Sequence, residues 1–293
     1  SLVNNRPTST PGKMTGLLHL VKNNYHQILN ETIEDPIVDS WPLMGSPWPV
    51  LSIVGFYLYF VLKLGPRLME RKPAFDLKYV MILYNFYQVA FSSWMCYRLF
   101  KTDKAIDYLI NHGCQPLPDT LNPVQDPLRE AAWFYFMSKI IELLDTIFFV
   151  LRKKQSQVTF LHVYHHSNLA VSTWAYLKYV KGEQGILIGF LNSFVHVVMY
   201  GYYLLASLGP SVQKYLWWKK YITKLQLGQF IIFIVYLLTL LAYDCKLPKA
   251  LTVYMTLNCF IFLYLFSDFY RKAYFNSKRI VDRDLLHQKH KST

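Results

Sequence analysis

The sequence predicts an all-α membrane protein with seven transmembrane helices. Hydrophobic residues make up 53% of the 293 positions. They come in runs of about 20 with few charges, the length that a helix needs to cross about 30 Å of hydrocarbon. Because a bilayer core offers no water to the backbone, such runs are expected to be helices. The predicted spans cover residues 48–66, 79–100, 130–151, 158–180, 185–208, 225–243 and 250–270.

The connections between these spans are short and polar, which predicts one helical domain between two tails. The tails cover residues 1–35 and 276–293, and the seven-helix domain covers residues 36–275. Residues 1–13 are polar, rich in Pro, Ser and Thr, and directly precede Met14. We interpret Met14 as the native start and assign no function to residues 1–13.

The basic residues predict the orientation of the chain in its membrane. The formal net charge is +13. With seven spans, alternate loops share one side, and the set that includes the C-terminal tail carries 19 Lys and Arg residues against 11 in the other. Positive charge collects in cytosolic loops, so the C-terminus is predicted to be cytosolic and the N-terminus lumenal. Nucleic-acid binding is not expected, because the basic residues flank the spans and do not form one face.

The two predicted sides also differ in their modification signals. A glycosylation sequon at Asn30 lies in the lumenal tail. Cys114 and Cys245 lie in lumenal loops, where they could form a disulfide or remain two free thiols. On the cytosolic tail, Lys289 and Lys291 resemble a dilysine retrieval signal, which predicts the endoplasmic reticulum membrane; an ordinary basic tail is the alternative.

Ionisable side chains inside predicted spans are costly and usually mark function. The third span holds Lys139, Glu142 and Asp145, whose spacing of three residues places them close to one helical face. A structural ion pair between Lys139 and Glu142 would explain two of the three groups. It would leave Asp145 unpaired, so the pattern favours a functional role.

The fourth and fifth spans carry polar side chains that recur every three or four residues, so each set shares a helical face. By the helical rise, these groups lie in the cytosolic half of the bilayer, beneath basic loops. That arrangement suits a substrate with an anionic head in the cytosol and an apolar tail in the membrane. The residues are His162, His165 and His166 in the fourth span, and Asn192, His196 and Tyr200 in the fifth.

The histidine cluster permits two chemistries. A metal-dependent lipid desaturase or hydroxylase needs several histidine boxes, whereas this chain has a single box together with His196. The other histidines lie in the tails or on the predicted lumenal side, so the count argues against a di-iron centre. The alternative is metal-free nucleophilic and acid–base catalysis by imidazole. A seven-helix receptor or transporter without chemistry would leave the convergence of polar groups unexplained.

Four segments resemble signatures of the elongases of very long chain fatty acids. They are KIIELLDT at 139–146, HVYHH at 162–166, HVVMY at 196–200 and TKLQLGQ at 223–229. The resemblance covers about residues 36–275. Gln157, which precedes the histidine box, resembles the residue found at this position in the branch that includes the polyunsaturated and very-long-chain elongases. The segment 167–176 departs from the pattern of close relatives, which leaves the preferred chain length and unsaturation open.

The resemblance implies a condensing enzyme that joins long-chain acyl-CoA and malonyl-CoA into 3-oxoacyl-CoA, carbon dioxide and CoA, with no cofactor. It implies that six of the seven helices enclose a tunnel that is closed at the lumenal end. His165 would be the nucleophile, forming an acyl-imidazole, and His196 would activate or stabilise the malonyl-derived carbanion. Residues that would orient them are His162, His166, Asn192, Glu142 and Asp145.

The resemblance also assigns binding residues and partners. Cys114 and Cys245 match a lumenal disulfide of the family. Besides acyl-CoA, malonyl-CoA and membrane lipid, the expected partners are other enzymes of the elongation cycle and a second copy of the chain. Cations and polar groups that would hold the CoA moiety are Lys139, Arg152, Lys154, Gln157, Tyr202, Lys219, Thr223 and Arg271.

Overall fold

A computed structural model describes residues 35–115, 117, 121–180, 185–243, 245 and 249–276. Within these ranges every regular element is a helix. The predicted sequon at Asn30, most of the N-terminal tail and the retrieval signal lie outside them. The helices are α1 (Pro36–Asp39), α2 (Trp48–Met69), α3 (Lys78–Lys101), α4 (Ala105–His112), α5 (Gln125–Ile141), α6 (Leu144–Leu151), α7 (Phe160–Val180), α8 (Gly185–Ser207), α9 (Pro210–Gln213), α10 (Lys219–Ala242) and α11 (Lys249–Tyr270).

Each of the seven predicted spans falls on one or two of these helices. Four described helices are long and apolar enough to cross a membrane: Trp48–Met69, Gly185–Ser207, Lys219–Ala242 and Leu251–Phe275. The predicted spans on α3 and α7 include more polar side chains. The third predicted span is divided between α5 and α6, which have 17 and 8 residues. The protein is therefore an all-helical membrane protein with polar groups concentrated in particular helices.

The third predicted span is not one continuous helix, which corrects the sequence-based expectation for residues 130–151. α5 ends at Ile141 and α6 begins at Leu144. Across the break the backbone bonds are of the tighter i to i−3 type, from Leu143 N to Ile140 O (3.3 Å) and from Asp145 N to Glu142 O (3.2 Å). Such tightening inside a helix often marks a functional site. Here it lies between Glu142 and Asp145.

A segment preceding α2 packs across one end of α5 and α7. Val38 and Met44 are buried in a cluster with Phe136, Trp174 and Leu177. The indole of Trp174 donates to Leu43 O at 2.9 Å. Because every large member of this cluster is apolar, it fixes α5 beside α7 and so fixes the polar residues that these two helices carry.

A second restraint lies at the same end of the bundle. Cys114, after α4, and Cys245, between α10 and α11, form a disulfide across a sequence separation of 131 residues. The opposite end, where α6 ends and α7 begins, is called the histidine-box end below. It also includes the end of α8 and the start of α10.

Candidate active site

The three histidines of α7 form a contiguous set of rings at the histidine-box end. The rings of His162 and His166, one helical turn apart, have centroids 4.4 Å from each other. The rings of His165 and His166 are 5.3 Å apart and nearly perpendicular. The sequence-based expectation that one helix brings these side chains together therefore agrees with the geometry.

His165 combines free ring nitrogens with packing against apolar side chains of another helix. Its half-buried ring packs edge-on against Phe262 and Phe266 of α11, at centroid distances of 5.1 and 5.8 Å. Among the described side chains, none forms a hydrogen bond with the His165 imidazole. A ring held by apolar contacts alone keeps its nitrogen lone pair available to an electrophile. His162 is held by Phe149 (5.1 Å), and its Nε2 is buried without a hydrogen-bond partner.

A first polar network holds His196. Lys139 Nζ donates to Glu142 Oε1 at 2.7 Å and to Asn192 Oδ1 at 2.9 Å. His196 Nδ1 lies 3.3 Å from the same Glu142 oxygen. The hydroxyl of Tyr135 donates to Asn192 Oδ1 at 2.8 Å. The ion pair that the sequence allowed as a purely structural explanation is present, and it also fixes the imidazole of His196.

A second polar network surrounds Asp145. This carboxylate accepts a hydrogen bond from the Tyr200 hydroxyl at 2.6 Å. Its Oδ2 also lies 4.0 Å from His166 Nε2. Asp145 therefore has partners on α7 and α8, although its own helix offers none. The two carboxylates are divided between the histidines, because Glu142 contacts His196 and Asp145 lies beside His166.

The residues that the sequence assigns to CoA binding do not all lie together. Lys139 is 1% exposed, and its ammonium is bonded to Glu142 and Asn192. The structure therefore groups it with the buried polar network and separates it from the exposed cations. The others lie at the histidine-box end, in or near the ends of α6, α8, α10 and α11: Arg152, Lys154, Gln157, Tyr202, Lys219, Thr223 and Arg271.

Within that set the local contacts vary. Tyr202 packs edge-on against Trp218 at 5.1 Å. Arg271 forms an exposed ion pair with Asp268 at 3.0 Å. Thr223 is buried, whereas Lys154 and Lys219 are exposed to solvent. Among the described residues, no group of three His, Cys, Asp or Glu side chains is arranged to hold a metal ion.

An apolar cavity begins one helical turn from His165 along α7. It is lined by Leu169, Thr173 and Tyr176 on successive turns of that helix, and by side chains of α3, α5 and α8. Tyr135 lines the same cavity while its hydroxyl belongs to the first network. The far end is formed in part by Gly185, which packs so closely on Tyr176 that a Cβ atom there would lie 2.7 Å from the ring.

Some residues of the site are missing from the sequence-based assignment. Tyr135 contributes a hydroxyl to the first network. α3 contributes Tyr84, which is close to Asp145, and Gln88, which donates to the Tyr84 hydroxyl. A usable signal was present in α3, where Asn85, Gln88 and Ser92 recur at helical spacing within a predicted span. Uncharged polar side chains are a weaker sequence signal than Lys, Asp or His, although burying them in a membrane is also costly.

Comparison with known proteins places these features in a family. A sequence model of the ELO family, described as the GNS1/SUR4 family, matches residues 42–281. A very long chain fatty acid elongase of Aedes aegypti is 44% identical over 245 residues, 84% of this chain and 68% of the relative. Very long chain fatty acid elongase 7 of Rattus norvegicus is 45% identical over 249 residues, 84% of this chain and 88% of the relative.

A third relative matches over more of the chain. Very long chain fatty acid elongase 4 of Homo sapiens is 40% identical over 273 residues, which is 92% of this chain and 86% of the relative. The matched region includes every element from α2 to α11. Both polar networks and the apolar cavity lie within it.

Proposed function

Because the chain belongs to the ELO family, whose relatives named above are very long chain fatty acid elongases, we propose that it is the condensing enzyme of fatty acid elongation. It joins long-chain acyl-CoA to malonyl-CoA and forms 3-oxoacyl-CoA, carbon dioxide and free CoA. One observation carries the proposal: the uncommitted imidazole of His165 lies one helical turn from an apolar cavity. A nucleophile one helical turn from an apolar cavity suits a substrate with a reactive head and a hydrocarbon tail.

In the first step, a His165 ring nitrogen attacks the thioester carbonyl carbon of acyl-CoA. A C–N bond forms and the C–S bond breaks. The thiolate of CoA leaves with the proton that the imidazole gives up, so that the products are the acyl-imidazole and CoA. The hydrocarbon tail lies in the cavity along Leu169, Thr173 and Tyr176. Covalent catalysis of this kind divides one difficult reaction into two easier ones.

In the second step, malonyl-CoA loses carbon dioxide to give a carbanion at its α-carbon, stabilised as the enolate. This carbon attacks the acyl carbon, the C–C bond forms and the acyl–N bond breaks. The ring nitrogen of His165 is released as it takes up a proton from solvent, which restores the neutral imidazole. His196, which is held by Glu142 (3.3 Å), is the group proposed to stabilise the enolate. His162, His166, Asn192 and Asp145 orient the reacting rings.

The CoA moiety is proposed to bind at the histidine-box end, where its phosphates attract the half-buried Arg152 and the exposed Lys154 and Lys219. This end would face the cytosol, with the disulfide at the lumenal end, in the endoplasmic reticulum membrane. All seven predicted spans would then cross the bilayer, with six of them enclosing the acyl tunnel. The buried polar side chains of these spans, such as Gln88, Glu142 and His166, would then face the interior of the bundle and not the lipid.

The decisive experiment combines purified protein in detergent with a panel of acyl-CoA substrates and labelled malonyl-CoA. We expect labelled 3-oxoacyl-CoA by mass spectrometry, formed at an equal rate after treatment with a metal chelator. With acyl-CoA alone, we expect one equivalent of CoA and an acylated protein. Absence of product across the whole panel would contradict the proposed function. Loss of activity on chelation would favour a metal-dependent lipid enzyme.

The side chains at the far end of the cavity are expected to limit the length of the product. Tyr176→Ala removes a ring that lines this end, so we expect the longest product to gain one or more rounds of elongation. Gly185→Ala adds a methyl group that overlaps the Tyr176 ring, and we expect shorter products. Chromatography of the products with labelled malonyl-CoA measures both.

The matched control for Gly185→Ala is Gly201→Ala on the same helix. A Cβ atom at Gly201 would meet nothing within 4 Å. The product distribution of Gly201→Ala should therefore equal that of the wild type. If Tyr176→Ala and Gly185→Ala also left the distribution unchanged, the cavity would not be the acyl site.

A further inference from the structure

α3 is built with its polar side facing inward. Its buried residues are Tyr84, Asn85, Gln88 and Ser92, each exposed by 8% or less. Leu83, by contrast, is 69% exposed. Because a bilayer offers apolar side chains no reason to prefer the protein interior, a polar inner face has to be stabilised by specific partners. The partners of Tyr84 and Gln88 lead to the active site.

A series of polar and ring contacts links Gln88 to Asp145. Gln88 Nε2 donates to the Tyr84 hydroxyl at 2.8 Å. That hydroxyl has one hydrogen of its own to donate, and it lies within reach of the Asp145 carboxylate and the Tyr200 hydroxyl. The Tyr84 ring is fixed by edge-on contacts with Phe148 (5.1 Å) and Tyr200 (6.1 Å).

The carboxylate at the end of this series lies beside the histidine box. Asp145 Oδ2 is 4.0 Å from His166 Nε2, and the His166 ring contacts both His162 and His165. His196 is held separately, by Glu142 and through it by Lys139. Each carboxylate thus serves a different histidine.

We propose that Tyr84 and Gln88 are positioning residues for the first half-reaction. They hold Asp145 beside His166 and thereby set the orientation of the His165 ring for acyl transfer from CoA. Neither touches the reacting atoms. The inference rests on the two-step reaction proposed above, and it adds that the two networks serve different steps.

This division predicts that two Tyr→Phe variants slow different steps of the reaction. Tyr84→Phe removes the acceptor of Gln88 and a hydroxyl close to Asp145, so acylation of His165 should slow by up to about 10-fold, the usual cost of one lost hydrogen bond. Tyr135→Phe removes one of the two donors to Asn192 Oδ1 in the first network. It should slow the second step by a similar factor while acylation stays close to the wild-type rate.

The experiment separates the two steps in time. Rapid mixing with acyl-CoA alone gives the rate constant and amplitude of CoA release, and a chase with labelled malonyl-CoA gives the rate constant of condensation from the acylated enzyme. A rate constant does not depend on the amount of folded protein, which the amplitude reports. Tyr87→Phe is the control, because Tyr87 is on α3 and 40% exposed, and both of its rate constants should equal those of the wild type.

Gln88→Met provides a second variant of similar volume if Tyr84→Phe does not fold, and it should slow acylation severalfold. The inference is overturned if these variants leave acylation unchanged, slow only the chase, or slow both steps equally. A wild-type protein without any acyl-enzyme would instead overturn the covalent step of the proposed function, and the inference with it. A normal wild-type burst combined with unaffected variants would overturn the inference alone.

Discussion

His165→Ala is expected to abolish acylation of the protein and to lower condensation by at least about 1000-fold, since removal of a catalytic nucleophile has effects of that size or larger. Among the described side chains, His165 has no hydrogen-bond partner to lose. Its removal leaves a space against Phe262 and Phe266, with no buried polar group left unpaired. The variant should therefore fold and bind acyl-CoA while failing in chemistry.

Two measurements test this expectation together. Intact-protein mass spectrometry after incubation with acyl-CoA should show one acyl group on the wild type and none on His165→Ala. His112→Ala is a suitable control, because His112 lies on α4 against Tyr108 at 5.1 Å, at the end opposite the histidine box. Full condensation by His165→Ala would contradict the covalent mechanism. An acyl group mapped to His196 in the wild type would exchange the roles of the two imidazoles.

The helices and the polar residues of α7 and α8 were predictable because both signals are local. A run of apolar residues specifies a membrane helix whatever its neighbours are. A spacing of three or four residues brings His162, His165 and His166 to one side of the same helix. The structure adds ring distances of 4.4 and 5.3 Å to that arrangement.

The pairing between helices was not predictable, because it depends on which faces meet in three dimensions. Asp145 looks unpaired within its own helix, yet it accepts a hydrogen bond from Tyr200, 55 residues further along the chain. The break between α5 and α6 is a similar case. No proline or glycine occurs between residues 130 and 151, and the break lies where Glu142 and Asp145 contact partners on other helices.

Lys139 illustrates the limit of reasoning from charge alone. A cation in a protein that binds phosphate groups suggests a phosphate ligand, and the sequence groups Lys139 with Arg152 and Lys219 on that basis. The burial of Lys139 indicates a different role. Its side chain is almost fully enclosed, and its ammonium is shared between Glu142 and Asn192, so its charge balances a carboxylate within the site.

Lys139→Ala is therefore expected to destabilise the protein by about 3–5 kcal/mol, the usual cost of removing one partner of a buried ion pair. Glu142 is 2% exposed, and its Oε2 already lacks a hydrogen-bond partner. Without the ammonium, the carboxylate would keep His196 as its remaining close partner. Condensation should be lost as well, because Glu142 would lose the ammonium that positions it and would no longer fix the orientation of the His196 imidazole.

The double variant Lys139→Met, Glu142→Gln separates stability from activity. Replacing both charges with neutral side chains of similar volume removes the unpaired carboxylate, and such replacements of buried ion pairs are often neutral in stability. Thermal unfolding in detergent should show a large loss for Lys139→Ala and recovery towards the wild type for the double variant. Condensation should stay low in both, because Lys139→Ala leaves Glu142 without the ammonium that positions it and the double variant removes the carboxylate beside His196. Recovery of activity together with stability would instead mean that this ion pair only holds the helices together.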